Sequence, residues 1–142
     1  MPSMPVDYRV LPEYNLVYVR YSGRAALDES FAVFGKFARD PLATPGQKHF
    51  VDLSKVTEIE EDFPKLIALQ ARKVGEFMRG LAPSMLLYFA PGPVPYAMAR
   101  MVLRSWEGLD GPTVLVQQDE MMAFSLLGLP EMTLSDLAGR MA

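Results

Sequence analysis

The chain has 142 residues, half of them apolar and 22% charged, which is the balance of one globular domain rather than of a disordered segment. Fourteen basic against seventeen acidic side chains leave a formal net charge of −3, which argues against generic nucleic-acid binding. With no cysteine and a single histidine, a disulfide framework, a thiolate nucleophile, a cysteine-bound zinc site and a multi-histidine metal centre are all excluded.

Residues 1–5, with prolines at positions 2 and 5, are expected to be irregular. Residues 6–11 and 16–21 are rich in β-branched and aromatic side chains, and the short connection Pro12-Glu13-Tyr14-Asn15 makes them an antiparallel hairpin. In the second strand Val17, Val19 and Tyr21 form the better core face, which leaves Leu16, Tyr18 and Arg20 on the more exposed side. Ser22-Gly23-Arg24 ends that strand. A helix over 27–39 follows, with Leu27, Phe31, Phe34 and Ala38 as its apolar stripe and Asp28 and Glu29 in its first turn. Asp40-Pro41 stops it, because the residue before proline is pushed out of helical space. Thr44-Pro45-Gly46-Gln47 then turns the chain into His49-Phe50-Val51-Asp52-Leu53-Ser54, a short central strand that closes in a polar turn. Strand, helix and strand in that order imply a right-handed crossover and parallel pairing.

The second helix is expected from Glu60 or Glu61, with Phe63, Leu66, Ile67, Gln70, Val74, Phe77 and Met78 facing inward. Pro64 is tolerated in its first turn, and Gly80 and Pro83 bracket its exit. Residues 84–90 are nearly continuous apolar sequence, as suits a strand of a parallel sheet covered on both faces. Pro91-Gly92-Pro93-Val94-Pro95 is a stiff loop into a third helix over 96–107, with Ala97, Met98, Met101 and Val102 buried. Gly108, Gly111 and Pro112 precede a last strand over 113–117, and Asp119 caps a helix over 120–127 that Gly128 ends. The tail at 131–142 is amphipathic, with Met132, Leu134 and Leu137 as docking residues. The order ββαβαβαβα describes one α/β domain with its core over about 6–130: a mostly parallel sheet, one antiparallel hairpin strand and helices for cover. No apolar run approaches the roughly 18 residues of a membrane helix, and the start of the chain shows no signal-peptide pattern, which points to the cytoplasm.

Residues suited to chemistry are sparse. Asp52 lies near the carboxyl end of the central strand, where open α/β sheets gather ligands and partners. It either accepts backbone hydrogen bonds in its turn or recognises a partner directly. With Ser54, Thr57, Glu58 and Glu61 it marks the expected protein-binding surface. The cluster of Glu58, Glu60, Glu61 and Asp62 is explained by helix-terminus electrostatics, and no basic or nucleophilic residue sits at a diagnostic spacing from it. His49, placed before an apolar strand, reads as structural. No serine stands in a nucleophile elbow, and Pro91-Gly92-Pro93 has the wrong glycine pattern for a phosphate loop. The chain is therefore read as non-enzymatic, with no catalytic residue, cofactor or metal assigned; the least favoured alternative is a carboxylate-dependent enzyme, which would need a cleft centred on Asp52 with Arg24 or Arg100 pointing inward. A positive and aromatic group, Arg24, Tyr88, Tyr96, Met98, Arg100, Met101 and Arg104, supplies candidates for an amphipathic small molecule or lipid. The plainer reading of the same residues is exposed arginines above methionines that fill the core. Trp106 suits a core plug and an interface anchor equally. A protein partner or a homodimer is plausible, and the edge strand of the hairpin can pair with its twin, although Pro12 and the charges beside it work against that edge.

Phe50-Val51-Asp52-Leu53-Ser54-Lys55-Val56-Thr57, reached after a hairpin and a crossover helix, resembles a strand and turn of STAS domains, the SpoIIAA-like fold of anti-sigma-factor antagonists. Thr113-Val114-Leu115-Val116, the run Asp119 to Phe124 and Leu127-Gly128-Leu129 look like that family's ending, so the resemblance spans most of 6–130. It is closer to divergent STAS-like or SEC14-like bacterial proteins than to the antagonists themselves. Antagonists carry a phosphorylatable serine just after the Val-Thr turn. Here that stretch reads Glu58-Ile59-Glu60-Glu61-Asp62-Phe63-Pro64, so a kinase-operated switch is not implied. Members of the wider fold bind proteins, nucleotides or lipids, and the resemblance implies an interaction or carrier role of that general kind.

Overall fold

The computed structural model describes residues 6–109 and 111–141; the irregular start expected at 1–5 lies outside them. Along the chain run β1 (Val6–Leu11), β2 (Leu16–Ala25), α1 (Leu27–Ala38), β3 (Lys48–Ile59), α2 (Phe63–Glu76), β4 (Met85–Phe89), α3 (Pro93–Trp106), β5 (Val114–Gln117), α4 (Glu120–Leu126) and α5 (Leu134–Gly139). The sheet has the order β1-β2-β3-β4-β5, with β1 antiparallel to β2 and each later pair parallel. This is the α/β order expected from the sequence, with one further short helix at its end.

Because successive strand residues point to opposite faces, the sheet builds two cores. Val17, Val51, Leu86 and Tyr88 pack with residues of α1, α2 and α3. Leu16, Tyr18, Phe50, Leu87 and Phe89 pack with Ala123 and Phe124 of α4 and Leu137 of α5. The side of β2 expected to be exposed is therefore covered: Leu16 is 0% and Tyr18 1% exposed. The chain after β5 crosses to that face, and no periodicity within β2 reports this. Phe124 stands edge-on to Phe50 with ring centroids 5.2 Å apart. A capping box between Thr133 and Asp136 starts α5 and turns the tail into an ordered cover.

β3 does not stop at Ser54. It continues to Ile59 alongside a β2 that runs through Ser22-Gly23-Arg24 to Ala25. Register shifts between Arg20 and Ser22 and between Gly23 and Arg24 make room for this, and Gly23 takes a φ of +68° that a side chain would oppose. At the first shift Asp52 Oδ1 accepts the Ser54 N–H at 2.9 Å, replacing the broken ladder with a local bond.

The helices depart from expectation mainly at their ends. α1 buries Val33 and Phe37 with Leu27 and Phe34, while Phe31 and Ala38 stay half-buried. Asp62 caps α2 through Oδ1 and the Lys65 N–H at 3.0 Å, and Pro64 sits in the first turn as expected. Beyond Glu76 the helix widens into a π turn, Phe77–Leu81, closed by Gly80 at a φ of +120°. The wider turn rotates Met78 outward to 78% exposure, against the inward position expected for it. α3 begins at Pro93 rather than Tyr96, since prolines in a first turn forfeit no needed N–H. Its buried side is Met98, Ala99, Val102, Ser105 and Trp106, and Ala97 is exposed. Trp106 is a core residue: it stacks on Phe77 and donates from Nε1 to Tyr88 Oη at 3.2 Å.

Leu137 is the one fully buried side chain of α5. Leu137→Ala is expected to destabilise the fold by about 2–5 kcal/mol, read as a lower urea midpoint. An unchanged midpoint would show that α5 docks without holding the core.

Candidate functional site

Three regions bear on function: the strand end at Asp52, a cavity beneath α1 and α2, and the free edge of β5. At the first, Asp52 is 2% exposed and fully engaged, with Oδ2 accepting from Tyr18 Oη at 2.8 Å and Oδ1 from the Ser54 N–H. Burial, and then the Asp52 charge, push the Tyr18 phenol pKa far above its ordinary value. Asp52 is thus a tie between neighbouring strands and not a turn residue turned to solvent. Ser54 Oγ is buried with no hydrogen-bond partner. Tyr18, Arg20, Asp52, Ser54, Lys55 and Leu134 border a groove of about 270 Å³ there.

Of the other residues expected on a partner surface, Thr57, Glu58 and Glu61 are exposed. Glu58 Oε1 lies 3.7 Å from Arg24 Nε across the β2–β3 pair. Glu60 accepts the Leu27 N–H at 2.9 Å and pairs with Lys65, which also reaches Asp28 at 2.7 Å. The acidic cluster therefore caps two helix starts and stitches β3 to α1 and α2, as its helix-terminus reading implies.

The positive and aromatic group does not converge. Tyr88 and Met98 are buried in the core, Tyr96 is exposed, and Arg24 belongs to the β2–β3 edge with Glu58. Only Arg100, Met101 and Arg104 come together; with Ile59, Glu61 and Ala97 they line a shallow groove of about 340 Å³. The Arg104 guanidinium lies 5.2 Å from the centre of the Phe63 ring. Among the described residues Tyr88, Tyr96, Met98 and Met101 are not brought to one site: Tyr88 and Met98 are buried, Tyr96 is exposed, and Met101 lies with Arg100 and Arg104.

A cavity does occur elsewhere on that layer, about 60 Å³ in volume, between the sheet, α1 and the last turns of α2. Its wall is apolar, built from Val17, Phe34, Phe37, Phe77 and similar residues. Tyr8 donates to Asp40 Oδ2 at 2.8 Å, and Tyr21 Oη and Ser30 Oγ bond each other at 2.8 Å. His49, 6% exposed, stands edge-on to Phe37 and Phe77, and its Nε2 has no hydrogen-bond partner. Burial, with the Lys73 charge second, lowers its pKa to about 3. Lys73 is half-buried, with Nζ 5.9 Å from the centre of the Phe34 ring; burial lowers its pKa to about 8. Sequence reasoning saw His49 as structural and missed Lys73, because only the fold brings β3 and α2 together.

The third region is β5, which among the described residues pairs only with β4. The Thr113 and Gln117 carbonyls accept from Leu86 and Ala90. In a parallel ladder alternate residues face opposite neighbours, so Val114 and Val116 turn their N–H and C=O groups outward. Residues 111–118 carry no charge. Val94, Tyr96 and Leu103 on α3, and Met121 (81% exposed), Met122 and Leu126 on α4, are the large exposed apolar side chains of the helices packed on β5. Among the described residues no group of three or more His, Asp or Glu is placed to hold a metal ion, and no helix is long and apolar enough to cross a membrane.

Two measurements probe these sites. Tyr18→Phe leaves a buried carboxylate oxygen without its donor and is expected to cost about 1–3 kcal/mol; a double-mutant cycle with Asp52→Asn that shows no coupling would refute the tie. For His49 the unfolded chain takes up a proton near pH 6.5 that the folded chain refuses until about pH 3. Its contribution is therefore complete above pH 6.5 and is lost as pH falls through that window, with a slope of about 1.4 kcal/mol per pH unit. His49→Gln is expected to flatten the acid side of the stability profile by that slope, and equal slopes in both proteins would contradict it.

No protein-family model matches the chain, and no curated protein matches it. Among solved structures it is similar to the crystal structure of an uncharacterized protein from the DUF3478 family with a SpoIIAA-like fold, from Shewanella loihica PV-4. The TM-score is 0.56 at 11% identity, and the match covers 89% of this chain and 97% of that one. The five-stranded sheet with helices on both faces is thus a SpoIIAA-like, STAS-like α/β fold.

Proposed function

We propose that the chain is a non-enzymatic interaction module that assembles with a second copy of itself along β5. The carrying observation is an open strand edge without a single charge between residues 111 and 118, with exposed apolar side chains on α3 and α4, the helices that pack on β5. Unguarded edges invite another strand, and sheets ordinarily blunt them with charges, bulges or prolines; Pro112 lies ahead of β5, and Val114–Gln117 itself carries none of these. The opposite edge is guarded in this way: β1 carries Asp7 and Arg9, and Arg20 of β2 reaches Asp7 at 3.4 Å.

A second copy suits β5 because antiparallel pairing about a two-fold axis joins the outward N–H and C=O groups of Val114 and Val116 to their own equivalents. Uncharged residues then face uncharged residues, with no like-charge cost. Leu103, Met121 and Met122 extend the contact beyond four strand residues. The non-enzymatic half of the reading rests on the two side chains best suited to proton transfer. His49 is edged by phenylalanine rings and Asp52 is committed to Tyr18 and Ser54. The exposed Thr57, Glu58 and Glu61 remain available to a protein partner at the far end of β3.

Light scattering after size exclusion is expected to give a dimer mass for the native chain and a monomer mass for Val116→Pro. Proline there removes an N–H that β4 does not use, so the substituted edge strand keeps its own ladder. A native chain that stays monomeric at NMR concentrations, or a folded Val116→Pro chain that still dimerises, overturns the proposal.

A further inference from the structure

We infer that the cavity beneath α1 and α2 is a binding site for a short aliphatic carboxylate, its charged end held by Lys73 and His49 and its hydrocarbon end by Phe34, Phe37 and Phe77. The site uses no residue of β5 and stands apart from the proposed assembly edge.

Size sets the first limit. A volume of about 60 Å³ exceeds what one water needs, roughly 10–15 Å³, and falls below the roughly 150 Å³ apolar cavity that admits benzene. A chain of about three or four carbons fits between those bounds. The wall sets the second limit. Among the described residues no carboxylate lines the cavity, and its hydroxyl groups are already engaged, Tyr8 with Asp40, Tyr21 with Ser30 and Tyr88 with Trp106.

What is left unanswered is positive or neutral. Among the described residues Lys73 has no carboxylate within ion-pair distance, and the Phe34 ring is the group its ammonium faces. A cation held in apolar surroundings without a counter-ion is expensive, and it makes the site complementary to an anion. His49 Nε2 is a second polar atom, more than nine-tenths buried and unpartnered. A neutral imidazole protonated at that nitrogen donates one hydrogen bond, and the Lys73 ammonium donates another, which together satisfy one carboxylate. An inorganic oxyanion would press its remaining oxygens against phenylalanine, and a hydrocarbon without a charge would leave both donors unmet. A short carboxylate answers both halves of the site.

The test is an NMR titration of the ¹⁵N-labelled full chain with butyrate and, separately, with butyramide, which keeps the carbon skeleton and removes the charge. Butyrate is expected to shift the amides of residues 33–37, 49 and 73–77 and to bind at least about tenfold more tightly than butyramide. Lys73→Met is expected to bring butyrate down to the butyramide level while leaving butyramide unchanged. The comparison of the two probes on the native chain stands even if the variant does not fold. Equal affinities for the two probes, shifts elsewhere in the protein, or no shifts with butyrate would overturn the inference.

Discussion

The fold depends on a continuous seam between β2 and β3, and the seam depends on Asp52. Parallel pairing breaks register beside Arg20, where an extra residue leaves the Ser54 N–H without a ladder partner. Asp52 supplies that partner with one oxygen and ties Tyr18 of the adjacent strand with the other. A carboxylate is tolerated at 2% exposure because both of its oxygens are answered. With the irregularity bridged, β3 runs on to Ile59, so that Glu58 pairs with Arg24 of β2 and the following Glu60 accepts the Leu27 N–H at the start of α1. Strand length, bulge and helix capping are thus linked through one side chain.

The two ends of β3 treat buried polarity in opposite ways. At the carboxyl end the polar atoms of Asp52 are matched by donors. At the amino end His49 and Lys73 face an apolar cavity in which nothing matches them. Native interiors leave few such groups unanswered, and each one left over narrows what the space can accept. The same strand therefore contributes structural cement at one end and, in His49, an unsatisfied polar group at the other, on the cavity that Lys73 of α2 also lines.

Much of this architecture was legible from residue pattern. Alternation of β-branched residues marked the hairpin, Asp40-Pro41 and Gly128 marked helix ends, and Asp119 does cap α4, accepting the Met121 N–H at 2.9 Å. Asp52-Leu53-Ser54 misled because a polar break in an apolar strand looks like a turn, whereas a bulge lets pairing resume. Leu16 and Tyr18 were assigned to the wetter side because β2 itself holds no sign of the helices that arrive more than a hundred residues later. The strand at 113–117 could be recognised from its valines, but its place at the edge of the sheet is a property of topology and has no local signal. That Lys73 and His49 line one cavity was equally invisible, since each residue is ordinary within its own element.

The capping box at Thr133 and the seat of Leu137 have a consequence for biosynthesis. The face formed by Leu16, Phe50, Leu87 and Phe89 is finished by α4 and α5, which leave the ribosome after every strand of the sheet. Arg140 then clasps Tyr14, its Nη2 2.7 Å from the phenolic oxygen and its guanidinium over the ring, across a separation of 126 residues. A nascent chain with all five strands made still presents one greasy side of its sheet to the cell, and the shield against aggregation is delivered only after the sheet is complete.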